Sequence, residues 1–297
     1  MISWVFKCWV LLFFSLTLTT RVAADATLPN TYFGGMSFFE TVSFFKDHQS
    51  GFYFPPAVNA SDVDVFFHFK PAIFGYSQSY LMALFPDGDR QYGVGYYETS
   101  VDDIPVVGRN DTNRPVISGF TSHSLAQYVA FYSMTETDYL TWAIQLNGYL
   151  QRLDAAYGSA WSASFGADYQ LYPWLHFGVW MEHLFSSGFV WDSLEEPELV
   201  ERDVIFFWRF FMKDFDLELS HNFQYLRSRL DWKLSEAVSL LTYCLVDRSA
   251  GEDFWIRQYG VGMGMYFSGF GIQYVYQWDH LSDMVLSQNS VSVKLGI

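Results

Sequence analysis

Charged side chains are scarce in this sequence, and basic ones are the scarcest. Asp, Glu, Lys and Arg make up 16% of the 297 residues, whereas ordinary soluble domains carry about 25%. Only 17 Lys and Arg stand against 32 Asp and Glu, which gives a formal net charge of −15. Because binding to nucleic-acid phosphates depends on Lys and Arg, we expect no nucleic-acid partner.

Cysteine is nearly absent as well. The two cysteines are Cys8 and Cys244, and Cys8 lies in an N-terminal segment that we expect to be removed. The mature chain then has no second cysteine for an intrachain disulfide. No spacing of Cys and His residues is typical of a zinc or haem site. We expect neither a metal nor a cofactor.

Long apolar runs are missing outside the N-terminus. Lys7 precedes an apolar run, Cys8–Leu18, and small residues follow at Val22–Ala24 or Ala24–Ala26. That order is typical of a secretory signal peptide, which we place at residues 1–24. The run is shorter than the roughly 20 residues of a membrane helix. Every later apolar run is short or alternating, so a membrane-bound form would have to cross with strands.

What the sequence has in abundance is strict alternation. In the stretch Leu140–Leu184, one face carries Leu140, Trp142, Ile144, Leu146 and Leu150, and the other carries Thr141, Ala143, Gln145, Asn147 and Gln151. The pattern resumes at residues 160–171 and 175–182. A period of two indicates β-strands, because successive side chains of a strand point to opposite faces.

The polar members of this alternation are mostly Ser, Thr, Asn, Gln, Gly and Ala rather than the Lys and Glu of a soluble surface. Aromatic residues make up 21% of the chain. Apolar residues facing lipid and small polar ones facing a lumen are typical of an outer-membrane barrel. We therefore predict an all-β transmembrane antiparallel barrel in the bacterial outer membrane, in contact with its lipid.

The barrel is predicted to have about 14 strands between residues 63 and 297. The predicted strands are 63–70, 77–86, 91–100, 124–134, 140–153, 159–171, 175–184, 203–212, 216–223, 226–234, 237–246, 255–267, 270–278 and 285–297. Short connections alternate with longer ones, notably 101–123 and 185–202. Short turns are typical of the periplasmic end and longer loops of the external end. Residues 25–62 interrupt the pattern with Pro55-Pro56 and many aromatics, which favours a plug in the barrel mouth over a disordered leader.

Several short motifs carry a resemblance to a known family. They are Gly34-Gly35-Met36 with Phe54-Pro55-Pro56-Ala57, Asp103-Ile104-Pro105, Leu150–Leu153, Gly260–Gly264, Gly269–Tyr274 and Ser290–Ile297. In these the chain resembles the FadL-like outer-membrane proteins, most closely their PorV/PorQ branch. The resemblance implies a 14-stranded barrel with an N-terminal plug. It also implies either passage of hydrophobic small molecules or, for PorV-type members, a role in protein secretion.

Strand parity predicts which side chains face the lumen. The inward residues that we single out as a candidate ligand site are Trp180, Glu182, Phe207, Arg209, Phe211, Glu218, Asn222 and Arg229. Charged side chains that face inward need ion-pair partners. Arg209 would pair with Glu182 or Glu218, and Arg229 with Asp231. Such pairs would have a structural role and brace the barrel wall. The alternative is an Arg that anchors the anionic head of a ligand with a hydrophobic tail.

We expect no enzymatic activity. Ser220, His221 and Asn222 are residue types found in a membrane phospholipase, but neighbours on a strand point to opposite faces. Ser220 and His221 therefore cannot form a nucleophile–base pair with each other. The sequence favours passage of small hydrophobic or amphiphilic molecules, and the alternative is a PorV-like accessory or docking protein that binds a protein partner at its external loops.

Overall fold

The computed structural model describes residues 63–73, 76–109, 115–153, 156–192, 202–222, 225–235, 237–248, 254–267, 270–281 and 284–296. Fifteen strands lie in these ranges. They are β1 (Asp64–Ile73), β2 (Tyr76–Asp87), β3 (Arg90–Arg109), β4 (Pro115–Thr137), β5 (Leu140–Leu153), β6 (Ala156–Tyr172), β7 (Leu175–Ser186), β8 (Val190–Trp191), β9 (Asp203–Phe211), β10 (Phe215–His221), β11 (Tyr225–Lys233), β12 (Val238–Arg248), β13 (Phe254–Phe267), β14 (Phe270–Leu281) and β15 (Met284–Gly296).

Fourteen of these strands close into one antiparallel barrel. Each pairs with its neighbour in the chain, and β1 pairs with β15, with Asp64 opposite Gly296. The fifteenth strand, β8, has two residues and continues the pairing along β6 just beyond β7. The predicted fold class and strand number are confirmed. The predicted signal peptide 1–24 and plug 25–62 lie outside the described residues.

The strand connections fall alternately at the two ends of the barrel. Six short connections lie at one end, which we call the turn end: 88–89, 138–139, 173–174, 212–214, 234–237 and 268–269. The start of β1 and the end of β15 lie at this same end, because Asp64 is opposite both Leu84 and Gly296. We call the opposite end the loop end. An even strand number places both ends of the barrel chain together, as the sequence predicted.

The prediction of a long loop at residues 101–123 is wrong. β3 continues to Arg109, β4 begins at Pro115, and the two strands pair across most of this span. The pairing with β2 stops at Val101 and the pairing with β5 stops at His123. Residues 102–109 and 115–122 therefore form a hairpin that extends eight residues, or about 26 Å, past its neighbours. A register shift between Val101 and Ile104 breaks the alternation there, which explains why the sequence pattern looked like a loop.

Apolar and polar side chains are distributed over the two faces of the barrel wall as predicted. On β5, Leu146 is 55% exposed, whereas its neighbour Asn147 is 4% exposed. On β6, Trp161 and Tyr169 point outward, and Ser162 and Ser164 are buried. Large apolar side chains thus cover the outside of the barrel and small polar ones line its inside, which is the distribution of a membrane barrel. No helix among the described residues is long and apolar enough to cross a membrane.

Candidate functional site in the barrel interior

The inward face of β9 shows how the interior is layered. From the loop end to the turn end it presents an acid, two apolar residues, a base and an aromatic ring, in the order Asp203, Ile205, Phe207, Arg209 and Phe211. The seven residues from Asp203 to Arg209 span roughly 20 Å of strand. The inward face of β7 follows a similar order, with Glu182, Trp180 and His176. We call the charged groups nearer each end of these strands the charged levels and the apolar side chains between them the apolar level.

Glycines shape the apolar level. Gly178 lies directly opposite Phe207, and Gly166 lies directly opposite Trp180. A Cβ atom added at either glycine would come within 2.0 Å of the facing ring. Each ring therefore lies across its glycine, flat along the inner wall. This arrangement needs a residue without a side chain at the glycine position.

The apolar level is a single cluster of buried side chains from seven strands. It contains Phe66, Met82, Leu84, Tyr97, Val129, Phe131, Ala143, Trp180, Ile205 and Phe207. Parity identified Trp180 and Phe207, which belong to the predicted site. The members on β1 and β2 were missed, because Phe66 and Phe67 are both apolar and alternation cannot tell inward from outward there.

The charged level near the turn end is built around Arg209. Its Nε lies 3.4 Å from Glu218 Oε2, and its Nη1 lies 3.7 Å from Asp168 Oδ2. Asp168 Oδ2 also lies 3.1 Å from His176 Nδ1, and the His176 ring packs edge-on against Phe211 at 4.9 Å. The predicted Arg209–Glu218 pair is thus present, and Asp168 adds a second carboxylate that the sequence did not indicate.

The same level continues onto β11. Arg229 lies opposite Glu218, and both Arg229 and Asp231 are buried and face inward. The predicted pairing is supported, because each lies within electrostatic range of the other. Lys233 Nζ donates a hydrogen bond to Asp216 Oδ1 at 3.2 Å. Acids and bases therefore alternate across adjacent strands at this level.

The charged level near the loop end is smaller and less balanced. Glu182 lies opposite Asp203 on the adjacent strand. Asn222 Nδ2 donates a 2.6 Å hydrogen bond to Asp203 Oδ2, and the Val204 amide donates one to Asp203 Oδ1. Arg227 lies within electrostatic range of Glu182. The predicted residues Glu182 and Asn222 thus lie in this level and not beside Arg209.

An irregular turn of β7 adjoins this level. Met181 of β7 pairs with Phe165 of β6, and Phe185 of β7 pairs with Ala163 of β6. Three residues of β7, Glu182–Leu184, therefore lie opposite a single residue of β6. His183 there has φ of 50°, a value that residues other than glycine rarely adopt. Its amide donates to Ser164 Oγ at 3.1 Å, and its Nδ1 lies 2.9 Å from Ser162 Oγ. No pattern in the sequence indicates this bulge.

The residues considered for catalysis lie as the parity argument predicted. Ser220 is buried inside the wall, whereas His221 faces outward and stacks between the rings of Phe206 and Trp208. They cannot act on each other. Within the described ranges, no group of three or more His, Cys, Asp or Glu side chains is placed to hold a metal ion.

Comparisons with known proteins agree with this architecture. No family model and no curated protein matches the sequence. Among solved structures, the toluene transporter TodX of Pseudomonas putida matches with a TM-score of 0.59 at 9% identity, over 80% of this chain and 90% of that one. A FadL homologue of Pseudomonas aeruginosa matches with a TM-score of 0.51 at 9% identity, over 83% and 93%. At this level of identity the likeness shows the fold: the chain has the barrel architecture of FadL-like proteins.

Proposed function

We propose that this chain is an outer-membrane barrel that lets small, largely apolar molecules pass. The observation that carries the proposal is the apolar level of the interior, in which Trp180 and Phe207 lie flat on glycines within a cluster drawn from seven strands. An open water-filled pore would expose such side chains to water at a cost in free energy, so an apolar cluster inside the barrel favours apolar solutes over ions.

The location follows from the outer surface. More than thirty large apolar side chains are exposed among the described residues, and burial in lipid is what makes such a surface stable in a monomer. We propose that residues 1–24 are a signal peptide that directs export, that the turn end faces the periplasm and that the loop end faces outward.

Solutes with an anionic headgroup are less favoured for passage through the barrel. The inward charged residues of β6–β11 comprise six carboxylates and four basic side chains: Asp168, Glu182, Asp203, Asp216, Glu218 and Asp231 against Arg209, Arg227, Arg229 and Lys233. Arg209 already lies against two of these carboxylates. An anion would have to displace a carboxylate to reach it. These contacts favour a bracing role for Arg209 over the anchoring role.

The similar structures are named as a toluene transporter, a monoaromatic hydrocarbon channel and a FadL homologue. They support a passage function over the secretion-accessory alternative, and assignment to the PorV/PorQ branch stays a prediction. We propose neutral monoaromatic compounds as the first class to test. Nothing in the proposal requires a chemical reaction, and we propose that the chain is not an enzyme.

The test is uptake of radiolabelled 2-phenylethanol by Gram-negative cells that express the full chain. We expect faster initial uptake than in cells with an empty vector, because the lipopolysaccharide layer slows apolar solutes. Trp180→Ala should change the rate, since it removes the ring that covers Gly166. Phe120→Ala removes an equally aromatic residue from the exposed hairpin and should not. Equal uptake with barrel and empty vector would reject the proposal.

A further inference from the structure

The loop-end charged level contains a carboxyl group that is buried in the barrel interior, that of Glu182. Glu182 is 9% exposed and faces inward two residues from Trp180 on the same strand face. In the part of the chain that the structure describes, no hydrogen bond or ion pair within 4 Å reaches its carboxylate. Burying a charge without a direct partner is costly, so a cationic group that reached Glu182 would stabilise its ionised form.

The nearest charged groups do not supply one. Directly opposite Glu182 stands Asp203, a second carboxylate, and like charges facing each other across two strands destabilise the pair. Asp203 differs in that it accepts hydrogen bonds from Asn222 and from the Val204 amide. Among the described residues, Arg227 is the one basic side chain in electrostatic range of Glu182, so two carboxyl groups share one cation at this level.

The surroundings limit what kind of cation fits. Immediately toward the turn end lie the buried rings of Trp180 and Phe207 together with Ile205. Glu182 lies two positions beyond Trp180 along the strand, which is roughly 7 Å. A bare metal ion would find no third carboxylate or histidine, since no such metal-binding group occurs among the described residues. An organic ammonium joined by a short linker to a ring would place its charge at Glu182 and its ring next to the apolar cluster.

We propose that Glu182 and Asp203 form a binding site for the ammonium group of small aromatic or aliphatic amines. The inference rests on the proposed passage of small apolar molecules and specifies the headgroup that the interior prefers. The carboxylate of Glu182 accepts hydrogen bonds from the ammonium, Asp203 contributes the second negative charge, and the apolar level holds the rest of the molecule. The site selects against the matching acids, because they would bring a third negative charge to the same level.

Three probes of nearly equal shape test the proposal: 2-phenylethylamine, 2-phenylethanol and 3-phenylpropanoate. Their affinities for the full chain, solubilised in a nonionic detergent, are measured by calorimetry at neutral pH. We expect the amine to bind about tenfold or more tightly than the alcohol, since a hydrogen bond to a charged group away from water is worth roughly that factor. The propanoate should bind more weakly than the alcohol.

Glu182→Gln should reduce amine affinity to that of the alcohol and leave the alcohol unchanged. Glu98→Gln removes a carboxylate from the exposed outer face and is the matched control, with no effect on any probe. Asp203→Asn should weaken amine binding by a smaller factor, and it serves as the second variant if Glu182→Gln does not fold, which an unheated gel reveals.

The outcomes separate this inference from the function on which it rests. An amine that binds no better than the alcohol, or a preference that survives Glu182→Gln, would overturn the amine site even if cells take up the alcohol. Failure of the uptake experiment with the alcohol would instead reject the passage function, whatever the amine affinity.

Discussion

The two sides of the barrel interior are stabilised by different chemistry. On β1–β5 the buried polar groups are mostly amides and hydroxyls, and Gln127 and Gln145 both donate to Asn147 Oδ1, at 3.0 and 2.7 Å. On β6–β11 the buried polar groups are mostly ions, and Arg209 pairs with Glu218 on the adjacent strand and with Asp168 two strands away. We call these the neutral wall and the charged wall.

The difference matters for what each wall tolerates. An amide that loses its partner leaves an unsatisfied dipole, which costs about 1–3 kcal/mol when buried. An ion that loses its partner leaves an uncompensated charge, which costs more. Substitutions in the charged wall should therefore destabilise the barrel more than those in the neutral wall. The largest loss is expected at Arg209, which pairs with two carboxylates.

The largest effect is expected for Arg209→Met. It leaves Asp168 and Glu218 without their shared cation, so we expect the free energy of unfolding to fall by about 3–5 kcal/mol. Urea titration of the barrel in detergent, followed by mobility on unheated gels, measures it. Arg152→Met is the control, because Arg152 is exposed and lies over the Tyr157 ring at 5.6 Å. If Arg209→Met were as stable as the wild type and lost affinity for 3-phenylpropanoate, Arg209 would be an anion anchor and not a brace.

A loss of stability of intermediate size is expected when a glycine beneath an aromatic ring is replaced by valine, and this loss should be equal on both walls. Gly178→Val on the charged wall drives a side chain into the Phe207 ring, and Gly93→Val on the neutral wall drives one into Phe131, where a Cβ would lie 2.2 Å away. Both should lose about 1–3 kcal/mol by overpacking. Gly148→Val is the control, because no atom lies within 4 Å of its Cβ position. A loss at Gly178 alone would mean that the walls differ in packing as well as in charge.

The smallest effect is expected for Gln91→Met on the neutral wall. Gln91 is 0% exposed, and in the described part of the structure neither its Nε2 nor its Oε1 has a hydrogen-bond partner. Removing both polar atoms should change the free energy of unfolding by about 1 kcal/mol or less, in the stabilising direction. Gln145→Met is the comparison, since it breaks the bond to Asn147 and should destabilise by about 1 kcal/mol. Equal losses at the two positions would show that Gln91 is satisfied.

Strand number and facing were predictable, because a period of two is written into the sequence wherever one face is apolar. Arg209 and Glu218 could be paired in advance, since both face inward on adjacent strands. Asp168 could not, because it lies two strands from Arg209 and contact over that distance depends on register. The hairpin beyond Val101 was not predicted for a related reason. One shift in the pairing register reverses the inward–outward alternation of side chains, so the sequence pattern no longer indicates the strand that follows.

The pairing of β1 with β15 has a consequence for how the molecule is made. Asp64 and Gly296 become neighbours although more than two hundred residues of chain separate them. Every shorter piece of the barrel, as it leaves the ribosome, has two open strand edges and an apolar outer face, which is the form most prone to aggregation. Such long-range closure is slow, so assembly cannot finish before β15 is available. A chain stopped before β15 should depend on periplasmic chaperones and be degraded rather than inserted.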